Sequence, residues 1–438
     1  MPISGFPEWL PSQRMIEQFT LDKIRSTFEL YGFAPLETRA VEPLETLLSK
    51  GETSKEVYLL RRLQDTADAP AKGEDQLGLH FDLTVPFARF VVENHGKLQF
   101  PFRRYQIQKV WRGERPQEGR YREFLQADID VVNRDTLPFH FDTEMPLVIG
   151  DVFRSLPIPP VVIQVNNRKV CEGFYRGLGL ADTGEVLRTV DKLDKIGPEK
   201  VAALLVETAG ATDAQAAACL KLAEISASDG SFVDRVRALG VDDPLLDEGL
   251  SELLQVVETA GEHAPGLVRA ELKIARGLDY YTGTVYETQM RGYEQHGSIC
   301  SGGRYETLAS VGNTRFPGVG ISIGVSRMLG LLFKQDALSV SRSVPTCVVV
   351  ALPSDDQRAE CDRIAAALRK RGIPTEVAPT AAKFGKQIQF ADRRGIPYVW
   401  FPGSPSTVKD IRSGEQVEAD ASTWMPPAAD VHPLVTGV

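Results

Sequence analysis

Between Phe102 and Val132 the sequence reads FRRYQIQKVWRGERPQEGRYREFLQADIDVV, and no other segment restricts the fold as tightly. Two stretches with strand-like alternation, Gln106–Trp111 and Asp128–Val132, flank the turn-rich segment Gly113–Gly119. A period of two places successive side chains on opposite faces of a sheet, so this pattern predicts an antiparallel hairpin with a long charged loop. After the loop, Gln126, Asp128 and Asp130 fall on one face, and polar side chains turned inward need partners. Between Arg103 and Arg122 stand seven Lys or Arg against two Glu. An Arg on a strand beside such a loop suits a phosphate, because guanidinium offers rigid bidentate donors and stays charged. Composition alone fits a solvated, salt-bridged hairpin equally well.

That basic segment belongs to an acidic chain: 50 Lys and Arg against 59 Asp and Glu give a formal net charge of −9. Net charge therefore does not hold this protein to a polyanion, and any nucleic-acid contact must rest on a local basic patch. Hydrophobic residues make 42% and charged residues 25% of the chain, which fits globular cores and excludes disordered, collagen-like and coiled-coil classes. At roughly 150 residues per domain, 438 residues predict two to four domains. No apolar run nears the ~18 residues of a membrane span. Met1–Trp9 lacks a basic region followed by an apolar run, so no signal peptide is expected. The five cysteines, Cys171, Cys219, Cys300, Cys347 and Cys361, are scattered and form no C-x-x-C pair, against a disulfide framework or structural zinc. These features predict a soluble protein of a reducing compartment, the cytoplasm.

Along the chain the character changes three times. Pro11–Leu30 carries Ile16, Phe19, Ile24 and Phe28 at near-helical spacing, ahead of the strand-like segments up to residue 165. Residues 168–262 are rich in Ala, Leu, Glu and Asp, as in Glu199–Ala209 and Thr212–Ile225, and predict short amphipathic helices. Strand and glycine signals return from Ala270 to Leu332, and Lys334–Pro345 is polar and ends in Pro, as a linker would. Beyond it, Thr346–Leu352, Gln357–Arg371, Pro374–Ala378, Lys383–Arg394 and Tyr398–Phe401 alternate strand and helix signals, predicting a small α/β domain.

Two further clusters carry chemistry-bearing residues. In KIARGLDYYTGTVYE (273–287), Arg276 precedes a glycine and Tyr280 and Tyr281 stand before another; core tyrosines with satisfied hydroxyls would look the same. In CSGGRY (300–305) and GVGISIGVSR (318–327), glycines let backbone approach a ligand closely, though taken singly most such segments are turns. GxxxxGK[ST] and HExxH patterns are absent from the sequence, which removes support for P-loop and zinc-hydrolase readings.

Taken in order, these clusters resemble the histidyl-tRNA synthetase family of class II aminoacyl-tRNA synthetases, over nearly the whole chain. FDLTVPFAR (81–89), WRGERPQEGRYREFLQADID (111–130), ARGLDYYTGTVYE (275–287) and CSGGRYE (300–306) are similar to its characteristic segments, and GVGISIGVSR resembles class II motif 3. The resemblance implies an α+β fold with a six- or seven-stranded antiparallel sheet flanked by helices, in a catalytic domain over 1–335. It also implies a helical insertion near 168–262 and a C-terminal α/β anticodon-binding domain over 343–438, with KFGKQIQFADRRGIP (383–397) as one of its helix–strand units.

The implied chemistry is activation of L-histidine with ATP and Mg2+, then transfer to the 3′ end of tRNA(His). Arg112 and Arg276 would stabilise charge on the α-phosphate from opposite sides. Phe124 would stack on adenine with Arg327 on its other face, Glu114 would accept from the adenine amino group, and Arg120 and Arg327 would hold the outer phosphates. Asp82, Leu83 and Thr84 with Gln126 would surround the α-ammonium, while Asp130 and Tyr281 would take the imidazole nitrogens and Tyr280 and Tyr305 close the pocket. Arg115 and Gln117 of the loop would meet the acceptor end of the tRNA, and Lys383, Lys386, Arg393 and Arg394 could form an anticodon patch.

The sequence departs from the family pattern in two places. LETRAVE (36–42) has Arg39 and Ala40 where motif 1 has a proline on its dimer-forming strand, and PGSPSTVKDIRSGEQ (402–416) is shorter than usual. A homodimer is still expected. The alternative is a non-catalytic histidine-binding paralogue serving as regulatory subunit of ATP phosphoribosyltransferase. Such paralogues have eroded ATP-binding arginines and lack the tail domain, whereas Arg112, Arg120, Arg276 and Arg327 are present here.

Overall fold

The structure, a computed structural model, describes residues 3–48, 56–62, 76–274 and 281–437. The chain divides into two compact units, one of Met1–Pro7 with Leu21–Leu331 and one of Glu8–Thr20 with Leu332–Val438. The near-helical spacing of Pro11–Leu30 becomes a helix with those bounds.

Among the described residues, the large unit holds a nine-stranded sheet. In chain order its strands are β1 (Ala34–Pro35), β2 (Phe102–Trp111), β3 (Glu123–Val132), β4 (Val161–Asn167), β5 (Ser226–Ala227), β6 (Val268–Glu271), β7 (Tyr281–Met290), β8 (Cys300–Tyr305) and β9 (Gly318–Gly324). Across the sheet they run β1-β2-β3-β9-β8-β7-β4-β6-β5. The hairpin β2-β3 forms as the alternation requires, in register from Phe102↔Val132 to Trp111↔Glu123. The run from β2 to β4 is antiparallel throughout. The two edges extend the expected sheet: β1 lies parallel to β2 and β6 parallel to β4, with β5 added beyond. β1 and β5 are two residues each, too short to carry an alternation signal.

The two faces of β3 differ in chemistry. Ala127, Ile129 and Val131 point to one side, Gln126, Asp128 and Asp130 to the other, and all six are buried. Helices His140–Arg154 and Pro244–His263 pack on the sheet. Tyr286 OH donates to the Asp142 carbonyl at 2.7 Å. Arg304, from CSGGRY, donates to the Asp142 carboxylate at 2.7 Å and to the Leu137 carbonyl at 2.6 Å. This arginine therefore ties sheet to helix, on the apolar side with Ile129 and Tyr286. The polar side of β3 is left for other work.

Residues 168–262 form the expected helices, chiefly Arg168–Gly177, Thr183–Val190, Pro198–Ala209, Asp213–Ala223 and Pro244–His263. Their starts follow from local chemistry: Asn167 accepts the Lys169 amide, Asp182 the Glu185 amide, and Thr212 with Gln215 closes a capping box. One short strand, β5, interrupts them at the edge of the sheet.

The small unit has a five-stranded sheet ordered Thr375–Val377, Val348–Val350, Tyr398–Phe401, Thr407–Asp410, Gln416–Glu418. The first three strands are parallel and the last two antiparallel, so residues 402–416 contribute a hairpin. Helices Arg358–Lys370 and Phe384–Asp392 supply the alternation that the sequence signals. The segment read as a linker is structured instead. Leu338–Val340 pairs with Val435–Gly437, and buried Arg342 donates to the carbonyls of Asp430 at 2.7 Å and Val431 at 2.8 Å. No helix of the described residues is long and apolar enough to cross a membrane, and all five cysteines are buried free thiols.

Candidate active site

The polar face of β3 is lined from both neighbouring strands. Register places Arg104, Gln106 and Gln108 of β2 opposite Asp130, Asp128 and Gln126, and Gly320, Ser322 and Gly324 of β9 on the other flank. Arg104 is fully buried and pairs with Asp130 at 2.6 Å. It also reaches the Leu83 carbonyl at 3.5 Å, and its guanidinium lies 4.3 Å from the Phe87 ring centroid. The other oxygen of Asp130 accepts from Tyr305 OH at 2.9 Å. A fixed, doubly bonded carboxylate of this kind can present a defined acceptor edge to a ligand.

Two glycines make that arrangement sterically possible. A Cβ on Gly320 would lie 2.1 Å from Asp130 Oδ1, and one on Gly318 would lie 2.4 Å from Tyr305 Cζ. The glycines of GVG thus clear room for the carboxylate and the phenol of neighbouring strands. Tyr281 stands opposite Tyr305 in register, bringing those two expected pocket residues together.

Asp82, Leu83 and Thr84 lie where helix Thr84–Asn94 begins, with Asp82 and Leu83 buried. Asp82 Oδ1 accepts the Val85 amide at 3.0 Å, which satisfies an otherwise orphaned helix N–H. Gln126 Nε2 donates to Ser322 Oγ at 2.8 Å. Burial pushes the Asp128 carboxyl up to about 7, against the pull of Arg104 and Ser322, with Asp130 and Asp82 pushing the same way as burial. Its contribution to stability is therefore full below the ordinary carboxylate value and is lost as pH rises through about 7.

Arg112 follows β2 and opens the loop. Its Nε donates to the Phe81 carbonyl at 3.0 Å, and its guanidinium carbon lies 5.1 Å from the Phe124 ring centroid. Burial raises the Glu56 carboxyl above its ordinary value, while Arg112 opposes that rise. Glu114 is half-buried, and its carbonyl accepts from Arg122 Nε at 3.1 Å. Arg115, Gln117 and Arg120 are exposed on the loop, where a Gln117–Arg120 bridge closes the tip. Arg327, near the start of helix Val325–Lys334, bonds to the His296 carbonyl. Its neighbour Ser326 accepts the Leu125 amide at 2.8 Å, fixing the helix start against β3. Arg276 and Tyr280 lie outside the described residues.

Three participants carry no role in the sequence reading. Arg104 was visible there only as one of several basic residues; pairing it with Asp130 requires the strand register. His80 is buried, stacked on Trp111 at 5.6 Å, and donates from Nε2 to the Lys109 carbonyl at 2.7 Å, while burial lowers its pKa and keeps it neutral. Ser322 had no signal beyond its place in a glycine-rich segment. In the small unit Lys383, Lys386 and Arg393 are exposed. Arg394 instead pairs with Glu376 and lies over the Phe390 ring at 4.6 Å, which makes it a structural tie.

An antiparallel sheet with an arginine-bearing hairpin and a buried polar row, in a chain with a second α/β unit, fits the aminoacyl-tRNA synthetase class, and the comparisons with known proteins show it. The family model described as Anticodon binding domain matches residues 346–423, and that described as Histidyl-tRNA synthetase matches residues 5–328. The chain belongs to the histidyl-tRNA synthetase family. It is 58% identical to the Histidine--tRNA ligase of Cutibacterium acnes over 100% of this chain and 98% of the relative. With the Histidine--tRNA ligase of Micrococcus luteus it shares 59% identity over 99% and 98% of the two chains. The crystal structure of histidyl-tRNA synthetase from Nostoc sp. PCC 7120 superposes with a TM-score of 0.85 at 36% identity, covering 96% of this chain and 97% of that one. An ATP phosphoribosyltransferase regulatory subunit/histidyl-tRNA synthetase from Bacillus halodurans shares the fold at a TM-score of 0.73, with 17% identity, covering 89% of this chain and 96% of that one. The ligase reading is favoured over the regulatory one by the full-length identities.

Proposed function

We propose that the polar face of the sheet binds L-histidine beside ATP, and that Arg112 stabilises the α-phosphate as the histidine carboxylate attacks it. One P–O bond forms to the carboxylate and the bond to the β-phosphate oxygen breaks, giving histidyl-adenylate and pyrophosphate. The observation that carries this reading is the placement of Arg112, held by the Phe81 carbonyl and the Phe124 ring at the end of the strand opposite the buried Gln126–Asp130 row. A guanidinium oriented before the reaction stabilises developing charge without reorganising, and holding both reactants in line supplies much of the remainder.

Phe124 offers a stacking face for adenine and Glu114 an acceptor for its amino group, while Arg120 and Arg327 supply cations for the outer phosphates. Mg2+ enters with the triphosphate as part of the substrate. Arg276 completes the pair of arginines by resemblance to the family. Asp82 and Gln126 surround the α-ammonium. Asp130, fixed by Arg104, and Tyr281 face the imidazole, with Tyr305 and Tyr280 closing the pocket. Such a pocket leaves buried polar groups unpaired when another side chain enters, which rejects analogues by roughly 10⁴–10⁵.

In the second step a ribose hydroxyl of the tRNA 3′ end attacks the adenylate carbonyl and AMP leaves. The exposed Arg115 and Gln117 support a contact between the hairpin loop and the acceptor end. Exposed Lys383, Lys386 and Arg393 support anticodon contact by the C-terminal domain, within boundaries of 343–438 beside a catalytic domain of 1–335. The protein works in the cytoplasm as a homodimer; exposed Leu59, Leu60 and Leu77 on a small three-stranded sheet support an intersubunit face there. The test is aminoacylation with purified tRNA(His) and sedimentation of the same sample. Charging with histidine and a two-chain mass are expected; histidine adenylation without charging would overturn the tRNA step, and a one-chain mass the dimer.

A further inference from the structure

Two buried acceptors on the polar face of β3 lack a donor among the described residues: Gln126 Oε1 and Asp128 Oδ1. Their side chains are two residues apart on one strand face and are 8% and 3% exposed. Ser322 of β9 lies beside both, since Gln126 Nε2 donates to its Oγ at 2.8 Å and strand register sets it opposite Asp128, whose ionised form its hydroxyl favours. The amide is thereby turned so that its oxygen, rather than its NH2, is left over. A buried acceptor without a donor is destabilising, and a buried carboxylate more so, so a single such atom already calls for explanation. Two together, flanked by a common hydroxyl, describe a receptor for a group with several N–H donors and a positive charge.

We propose that Asp128 is a substrate-binding residue, accepting with Gln126 Oε1 the N–H bonds of the α-ammonium of histidine, while Ser322 positions both acceptors. This rests on the reading of the site given above and adds Asp128 and Ser322 to it. Asp128 is distinct in this from Asp130, whose two oxygens are already engaged by Arg104 and Tyr305. Among the described residues, the charged groups that act on Asp128 are Arg104 on β2, Asp130 on its own strand and Asp82 before helix Thr84–Asn94, with the Cys300 thiol of β8 also within electrostatic reach. Of these only Arg104 is cationic, and it is already paired with Asp130, so among the described groups an arriving ammonium finds acceptor charge at Asp128.

A proton consequence follows. The Asp128 carboxyl, pushed up to about 7 by burial, is partly protonated near neutral pH in the free protein. A cation beside it favours the ionised form, so histidine binding expels a proton, and affinity rises with pH between roughly 6 and 8. Histidine titrates in the same region, so the contribution of the protein is the difference between wild type and Asp128→Asn, which keeps shape and an acceptor but cannot ionise.

The experiment is ATP–pyrophosphate exchange on full-length wild type, Asp128→Asn and Ser322→Ala, with calorimetric titration of histidine near pH 7 in buffers of different ionisation enthalpy. Asp128→Asn is expected to raise the histidine KM about 10- to 100-fold with the ATP KM within about two-fold, and to abolish the excess proton release. Ser322→Ala is expected to raise the histidine KM about 3- to 10-fold while leaving proton release in place. An unchanged histidine KM in Asp128→Asn, equal changes in both KM values, or proton release identical to wild type would each overturn the proposal. If wild type itself shows no exchange with histidine, the site reading fails instead, and the two failures are told apart by that control.

Discussion

Replacing Arg112 with alanine is expected to lower the rate of histidine-dependent ATP–pyrophosphate exchange by about 10²- to 10³-fold, the typical loss on removing one preorganised donor to developing charge. The side chain is suited to the role by what holds it: Nε is committed to the Phe81 carbonyl, and the guanidinium plane lies by the Phe124 ring, so its remaining N–H groups are aimed before substrate arrives. Because Arg112 is half-buried at a loop and not within a packed core, the variant should fold with little change in its melting temperature. Histidine binding, read by calorimetry without ATP, should weaken less than the exchange rate falls. A loss below about ten-fold in exchange would remove Arg112 from the role of principal stabiliser of the α-phosphate.

The second large effect is expected at Gly320. An alanine there sets a methyl carbon 2.1 Å from Asp130 Oδ1 and 2.7 Å from the Ile129 carbonyl, and neither neighbour can yield cheaply. Moving Asp130 strips Arg104, a fully buried cation, of its ion pair. Overpacking costs about 1–3 kcal/mol and an uncompensated buried charge about 3–5 kcal/mol, so Gly320→Ala should lose about 3 kcal/mol or more of stability in a denaturant titration. Among molecules that remain folded, the histidine KM should rise at least about ten-fold while the ATP KM moves far less. A folded Gly320→Ala protein with the wild-type histidine KM would show that Asp130 does not line the amino-acid pocket.

How much of this was legible in the sequence depends on whether the signal was local. The hairpin Phe102–Val132 was, because alternation and turn residues are neighbours in the chain. So were the helix Pro11–Leu30 and the alternating elements after residue 346. The edge strands Ala34–Pro35 and Ser226–Ala227 were not, since two residues cannot display a period. Leu338–Val340 was hidden for another reason: its partner, Val435–Gly437, lies nearly a hundred residues on, and the polar residues around it imitate a linker.

The site divides in the same way. Arg112, Gln126 and Asp130 were picked out by their place around a charged loop and by resemblance to a family. The Arg104–Asp130 pair needs strand register, and the Gln126–Ser322 bond beside Asp128 needs a third strand brought from the far end of the domain. Asp128 illustrates the gap well. Its inward-facing position was evident from alternation, but that one of its oxygens would find no donor among the described residues depended on how the neighbouring strands came together.

The central claim is that the polar face of this sheet activates histidine and no other amino acid. The direct measurement is ATP–pyrophosphate exchange with wild-type protein and Mg2+, run with each of the twenty common amino acids in turn. The account requires rapid exchange with histidine and, for the others, rates lower by roughly 10⁴ or more, as a pocket that hydrogen-bonds both ring nitrogens should give. Histidine binding without exchange, or comparable exchange with a second amino acid, would contradict it.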